Sequence, residues 1–189
     1  DKLISLSVLH GAEFDSEIRD EYLRIPLEAR AELAKTPDAA IPLPEGITLP
    51  LETIASMAAS EEFILTITEN GYGKRTSAYE YRITNRGGMG VTNILTTTRN
   101  GKVAASFTAD DNTQLMLITN QGKIIRLSAS QISVIGRSTQ GVLLFRTEPG
   151  EIIVSAAKIV VNAEENSDNE QPLGEEGEAG PDNVTTNEE

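Results

Sequence analysis

The chain has 189 residues, a formal net charge of −13 and no cysteine. That length holds one ordinary domain, and the absence of cysteine excludes disulfides and thiolate metal sites and fits a cytosolic protein. No apolar run approaches the ~18 residues of a transmembrane helix, and no signal-peptide pattern opens the chain. With a single histidine, His10, past a strand-like run and without a serine elbow or placed carboxylate, a Ser-His-Asp triad or a histidine metal site is not expected.

The charge is unevenly spread. Residues 1–60 hold 5 basic and 11 acidic side chains, residues 61–160 hold 11 basic and 8 acidic, and residues 161–189 hold 10 acidic and none basic. The middle of the chain is mildly basic and the acid lies outside it.

Residues 1–9 alternate as a strand, and we read them as the last strand of a preceding unit, so that the chain opens in mid-unit, as a piece of a longer array would. Residues 10–60 read as an insertion. Within it Ile18, Tyr22 and Ile25, then Leu27, Ala31 and Ala34, follow helical spacing, with Asp15 or Ser16 as the cap and Pro26 as a break. Pro37, Pro42, Pro44, Gly46 and Pro50 mark an extended loop, and Leu51, Ile54 and Ala58 share a face of a short helix over 51–59. The insertion is expected to be a surface element between blades, with partner docking as the alternative.

Residues 61–110 and 111–160 form two copies of one unit. Ile64 to Val91 aligns with Leu115 to Val142 without a gap, sharing Ile67/Ile118, Thr68/Thr119, Gly71/Gly122, Arg75/Arg126, Ser77/Ser128, Arg86/Arg137, Gly90/Gly141 and Val91/Val142. A period near 50 with short β-rich runs indicates stacked or radially arranged sheets. In the first copy we expect strands at 62–69, 79–84, 91–98 and 102–108, with turns at Asn70-Gly71 and Asn100-Gly101. In the second, strands are expected at 114–120, 123–127, 141–146 and 151–160, with turns at Gln121-Gly122 and Pro149-Gly150. The expected fold is all-β: a propeller-like array of four-stranded antiparallel blades. Residues 161–189 lack large apolar side chains and read as a disordered acidic tail, long enough at roughly 30 Å r.m.s. to reach the basic units and compete with a polyanion, with a purely solubilising tail as the alternative. A sequon at Asn183-Val184-Thr185 reads as chance in such a tail.

Gly71-Tyr72-Gly73-Lys74-Arg75-Thr76 has the look of a phosphate loop but fails the Walker spacing, with Arg75 at the Ser/Thr position. It reads better as a hairpin presenting cations. Recurrence of arginine at one offset predicts a basic rim of Lys74, Arg75, Arg86, Lys123, Arg126 and Arg137 facing a duplex backbone. No aromatic set interleaves these cations and no recognition helix is evident, so single-strand stacking and base readout are not expected.

The run Glu69-Asn70-Gly71-Tyr72-Gly73-Lys74-Arg75-Thr76, with Glu80-Tyr81-Arg82, Arg86-Gly87-Gly88-Met89-Gly90-Val91 and Ile135-Gly136-Arg137-Ser138-Thr139-Gln140-Gly141-Val142, resembles the C-terminal domain of the A subunit of DNA gyrase, a type IIA DNA topoisomerase. The resemblance covers residues 1–9 and 61–160, and an acidic tail suits it. It implies a β-pinwheel fragment whose blades exchange strands and wrap duplex DNA. The bacterial holoenzyme, with gyrase B and a second copy of gyrase A, would then introduce negative supercoils with ATP and magnesium. Those cofactors belong to the holoenzyme and not to this stretch, and the expected location is the cytoplasm, on the nucleoid. Neither the active-site tyrosine region nor the arginine-rich box of the first blade is here; residues 86–90 are a degenerate echo of the box, with Met89 in a basic position. This stretch alone is therefore not expected to cleave DNA. Two other readings stand beside it: the related domain of the A subunit of topoisomerase IV, and a propeller-type protein-interaction scaffold.

Overall fold

The structure, a computed structural model, describes residues 3–10, 14–84 and 86–159. Three helices come first: α1 (Ser16–Tyr22), α2 (Leu27–Lys35) and α3 (Leu51–Ala59). Seven strands follow: β1 (Phe63–Thr68), β2 (Tyr72–Ser77), β3 (Val103–Thr108), β4 (Gln114–Thr119), β5 (Ile124–Ser128), β6 (Val142–Leu143) and β7 (Ile153–Ile159). They form two antiparallel sheets, ordered β3-β1-β2-β6 and β5-β4-β7.

The two central strands make the core. Period-2 alternation turns Leu65 and Ile67 of β1, and Leu115 and Leu117 of β4, to one face each. With Ala109, Ala129, Ile132 and Ile153 they form one buried apolar cluster. Each hairpin closes through a glycine with positive φ: Gly71, Gly101, Gly122 and Gly150 lie between 77° and 81°, a region open mainly to glycine.

The sheets are not built one per repeat. β6 belongs to the second repeat yet pairs with β2 of the first, Tyr72 against Leu143 and Gly73 against Val142. The crossing is tight. A Cβ on Gly71 would lie 2.0 Å from the Phe145 carbonyl oxygen, and one on Gly141 2.8 Å from the Gly73 oxygen. Strand exchange between neighbouring blades is what the pinwheel resemblance implies, and the β2–β6 pairing shows it. The first sheet reaches four strands by borrowing one, and the second has three among the described residues.

Other expected strands also shift. Residues 91–98, the expected third strand, form no strand; the Leu95 N–H instead donates to the Thr139 carbonyl of the second repeat at 2.9 Å. Residues 79–84 are not the second strand: the Asn70-Gly71 turn returns the chain at once into β2, which ends in a 3₁₀ turn at Ala78–Glu80. Residues 3–9 pair with no strand among the described residues, and Leu3, Leu6 and Val8 are exposed. The expected tail at 161–189, with Asn183, lies outside the described residues.

The insertion is more than surface. Pro26 separates α1 from α2 as expected, since it donates no backbone hydrogen bond. Tyr22, Ile25, Leu33, Ile54, Met57 and Ala58 bury one another, and Tyr79 from the end of β2 enters the same cluster. α2 buries Arg30 and Leu33, whereas the expected Ala31 and Ala34 are exposed. Tyr79 stacks edge-on against Tyr22 at 5.3 Å, and its hydroxyl donates to the Met57 carbonyl at 3.0 Å. Arg30 and Glu61 form a buried ion pair, and the Tyr22 hydroxyl donates to Glu61 at 2.8 Å. Arg19 donates to the Tyr81 carbonyl at 3.0 Å. The helices thus grip the segment leaving β2.

Gly71→Ala and Gly122→Ala separate the crossing from the turn. Both glycines have φ near 80°, but nothing lies within 4 Å of a Cβ on Gly122. Gly122→Ala should cost about 1–2 kcal/mol for the left-handed backbone alone. Gly71→Ala should cost about 1–3 kcal/mol more through steric overlap, as read from urea unfolding of the two variants.

Candidate nucleic-acid interface

A duplex-binding surface needs cations that solvent, and so phosphate, can reach. The six expected positions divide three ways.

Lys74 and Arg75 are interior. Lys74 is fully buried, and its Nζ donates to the carbonyls of Gly136 and Arg137 at 2.7 Å each and to Thr139 Oγ1 at 3.3 Å. Burial lowers its pKa to about 8, with Glu80 opposing and Arg137 assisting, so the ammonium is charged at neutral pH and donates all three bonds. Arg75 donates from Nε to the Ile132 carbonyl at 2.9 Å and from Nη1 to Asp111 at 2.5 Å. Its backbone extends the crossing, with its N–H bonded to Ser133 O and its carbonyl accepting from the Ile135 N–H. These two residues do not form part of a basic rim: both are committed to holding residues 132–139 of the second repeat against β2.

Arg137 and Lys123 are partly engaged. Arg137 donates to the Thr92 carbonyl at 2.8 Å and lies over the Tyr81 ring at 5.7 Å. Lys123 pairs with the buried Glu151 at 3.1 Å and sits over the Phe145 ring. The Glu148 amide donating to the Glu151 carboxylate holds that acid below its usual range, and Lys123 adds to this. The Lys123 charge is therefore locally matched.

Arg86 and Arg126 are exposed. Arg126 touches Gln114 at 3.4 Å. Arg75 and Arg126 are the same repeat position, one buried and one open. The difference is the crossing, which covers β2 and leaves β5 uncovered. Recurrence of arginine here reports how a sheet is built, and does not by itself mark a surface.

The structure brings together cations that the repeat pattern does not highlight. Arg99 and Arg146 line one cleft of about 520 Å³ between the turn ends of the two sheets, with Tyr72, Asn70 and Thr147. Arg99 donates to the Tyr72 hydroxyl at 3.1 Å and stacks on its ring at 5.0 Å. Glu148 and Glu151 line the same cleft, Glu151 being the partner of Lys123. Arg82, Lys102 and Lys158 are also exposed. A signal for the cleft pair exists in the sequence. Arg99 directly precedes Asn100-Gly101 and Arg146 shortly precedes Pro149-Gly150, and turn ends lie outside a sheet. Among the described residues no group of acidic or histidine side chains could hold a metal, and no helix is long and apolar enough to cross a membrane. His10 is an exposed loop residue bonded to Glu62.

Two antiparallel sheets from tandem repeats, joined by an exchanged strand and with a charged cleft at their turn ends, define a propeller-type repeat module. A family model described as DNA gyrase C-terminal domain, beta-propeller, matches residues 62–110 and 113–159. The DNA gyrase A protein of Rickettsia conorii is 46% identical over 177 residues, which is 94% of this chain and 19% of that protein. Its Salmonella typhimurium counterpart is 48% identical over 99 residues, 52% of this chain and 11% of that protein. The solved DNA gyrase A C-terminal domain superposes with a TM-score of 0.50 at 24% identity, over 53% of this chain and 34% of that one, a likeness of fold. This chain belongs to the DNA gyrase A C-terminal domain family. It spans about a fifth of the length of the Rickettsia relative.

Arg75→Ala should strip the Ile132 carbonyl of its charged donor and cost about 2–3 kcal/mol. Arg126→Ala should stay within about 0.5 kcal/mol of the parent. Urea midpoints of the two variants at equal m-value make the comparison.

Proposed function

We propose that this chain is the duplex-wrapping part of a gyrase A protein. It binds DNA without sequence preference by placing cations at spaced phosphates and releasing counterions. The contact residues in this reading are Arg82, Arg86, Arg99, Lys102, Arg126 and Arg146, with Lys123 and Arg137 as partly engaged contributors. Lys74 and Arg75 serve the scaffold. The observation that carries the reading is the Arg99–Arg146 cleft, at the turn ends of a domain whose relatives are DNA gyrase A proteins. In the holoenzyme the wrapped segment would be handed to the strand-passage machinery formed with gyrase B and a second copy of gyrase A. ATP and magnesium act there, in the bacterial cytoplasm. The repeats' net basic charge favours encounter with a polyanion, although the whole chain is acidic.

The reading makes a quantitative demand. With about five phosphate contacts, the slope of log affinity against log salt should be near −4.5. Arg99→Ala with Arg146→Ala should weaken binding to unrelated duplexes alike and make the slope shallower by about 1.8. Fluorescence anisotropy across a salt series, with at least two duplex sequences, measures both. A slope near zero, or loss confined to one sequence, would sink the proposal.

A further inference from the structure

The crossing over β2 uses residues that the second repeat does not keep. At the repeat offset, Ile124 stands where Gly73 stands and Ile125 where Lys74 stands. A Cβ on Gly73 would lie 2.5 Å from Leu144 Cδ1 of the crossing segment and 2.9 Å from the Thr66 carbonyl oxygen of β1, so the place between β1 and the crossing suits glycine. Ile124, at the uncovered edge of β5, is 61% exposed. Glycine and lysine occur together at the edge that receives a crossing, and are absent from the edge that receives none among the described residues.

The lysine is unusual in what it touches. Its three acceptors all belong to the four-residue stretch 136–139; no described carboxylate bonds it directly, and Glu80 favours its charge only through the field. Taking an ammonium out of water costs several kcal/mol, which an apolar side chain at the same place would avoid. The gain is directional: one flexible stem gathers two backbone carbonyls and a hydroxyl of another repeat. The stretch it gathers carries Arg137 and leads into β6. On its far side the Arg137 N–H donates to Glu80 at 2.9 Å, so that strand β2 and the turn after it hold the same loop from two directions.

We propose that Lys74 is a positioning residue, a clasp between repeats that fixes the path of residues 136–143 over β2 and with it the angle between successive sheets. The consequence for DNA rests on the wrapping function proposed above: the inter-sheet angle sets the path that a bound duplex follows. The clasp itself does not rest on DNA binding.

The test uses the full-length protein at pH 7, where Lys74 carries its proton, with Lys74→Met, which keeps the stem and removes the donors. Thr139→Val serves as a milder companion. Hydrogen exchange reads the clasp. The amides of Ile135, Leu144 and Phe145 bond across to Arg75 and Gly71. In Lys74→Met they should exchange at least ten-fold faster, while the Leu117 amide in β4 is unchanged. Thr139→Val should show a smaller acceleration at the same three amides and decides the matter if Lys74→Met does not fold. Unaltered exchange at all three amides in the deciding variant overturns the clasp. Linking number of a nicked circle sealed around the protein reads the consequence. Lys74→Met, or Thr139→Val in its place, should retain duplex affinity within two-fold yet lose a clear part of the linking change, half or more for Lys74→Met. If the exchange result holds and the parent protein shifts no linking number, the wrapping function fails while the clasp stands. If the parent shifts it and a variant with loosened amides shifts it equally, the role of the clasp in the duplex path is overturned.

Discussion

The edge of β2 is the constraint on which the rest of this structure depends. A strand edge exposes unpaired N–H and C=O groups, and some other segment must satisfy them. Here that segment is residues 133–145 of the following repeat, which bonds to Gly71, Gly73 and Arg75 in turn. The repeats are therefore joined by backbone hydrogen bonds as well as by apolar packing between Leu65, Ile67, Leu115 and Leu117. Apolar contact tolerates small rotations, because it has no direction. A ladder bond with an N–H and a carbonyl in fixed register does not. Charged donors extend the same logic into the side chains, through Lys74 to Gly136 and Arg137, and Arg75 to Ile132.

The helices add a second hold at the exit of the same strand. Tyr79 leaves β2 and is swallowed by the cluster of Tyr22, Ile54 and Met57, while Arg19 takes the Tyr81 carbonyl. Between Ser77 and Arg82 the chain is thus fixed on one side by helices and on the other by Glu80 receiving the Arg137 amide. A unit of three short helices, none of them long enough to be stable alone, gains its order from this docking and lends order to the strand it grips. That mutual dependence explains why the insertion has a core of its own and yet is completed by a residue of the β-unit.

Much of this architecture is written locally, and the part that is not is instructive. Hairpin turns at Gly71, Gly101, Gly122 and Gly150 are legible because positive φ selects glycine at each. The break at Pro26 and the helix at Leu51–Ala59 are legible from missing donors and spacing. The fate of Val142 and Leu143 is not, because their own residues fit a strand in either sheet and only the neighbouring edge decides which. Lys74 and Arg75 mislead for the same reason. On a strand, a cation is ordinarily a solvent-facing residue, and nothing within the first repeat signals that a later stretch will roof it. Arg126 looks identical in sequence and is open. The clue lay in the mismatches between copies: Ile124 for Gly73 and Ile125 for Lys74.

Separating buried from exposed cations also changes the electrostatic argument. Arg75 is buried and paired with Asp111, so it offers little to a distant polyanion, while Lys123 is paired with Glu151 but stays partly exposed. Lys74 has no such partner among the described residues, but it is enclosed and held at the junction. The neighbouring Arg137 disfavours its charge and Glu80 favours it. Exposed arginines at turn ends, Arg99 and Arg146, line an open cleft that they share with Glu148 and Glu151. Their separation is set by how the sheets are joined, hence by the crossing. In the wrapping function proposed above, such a surface has its charges on loops and its spacing in the core, so the residues that determine where phosphate would bind include ones that phosphate would never touch.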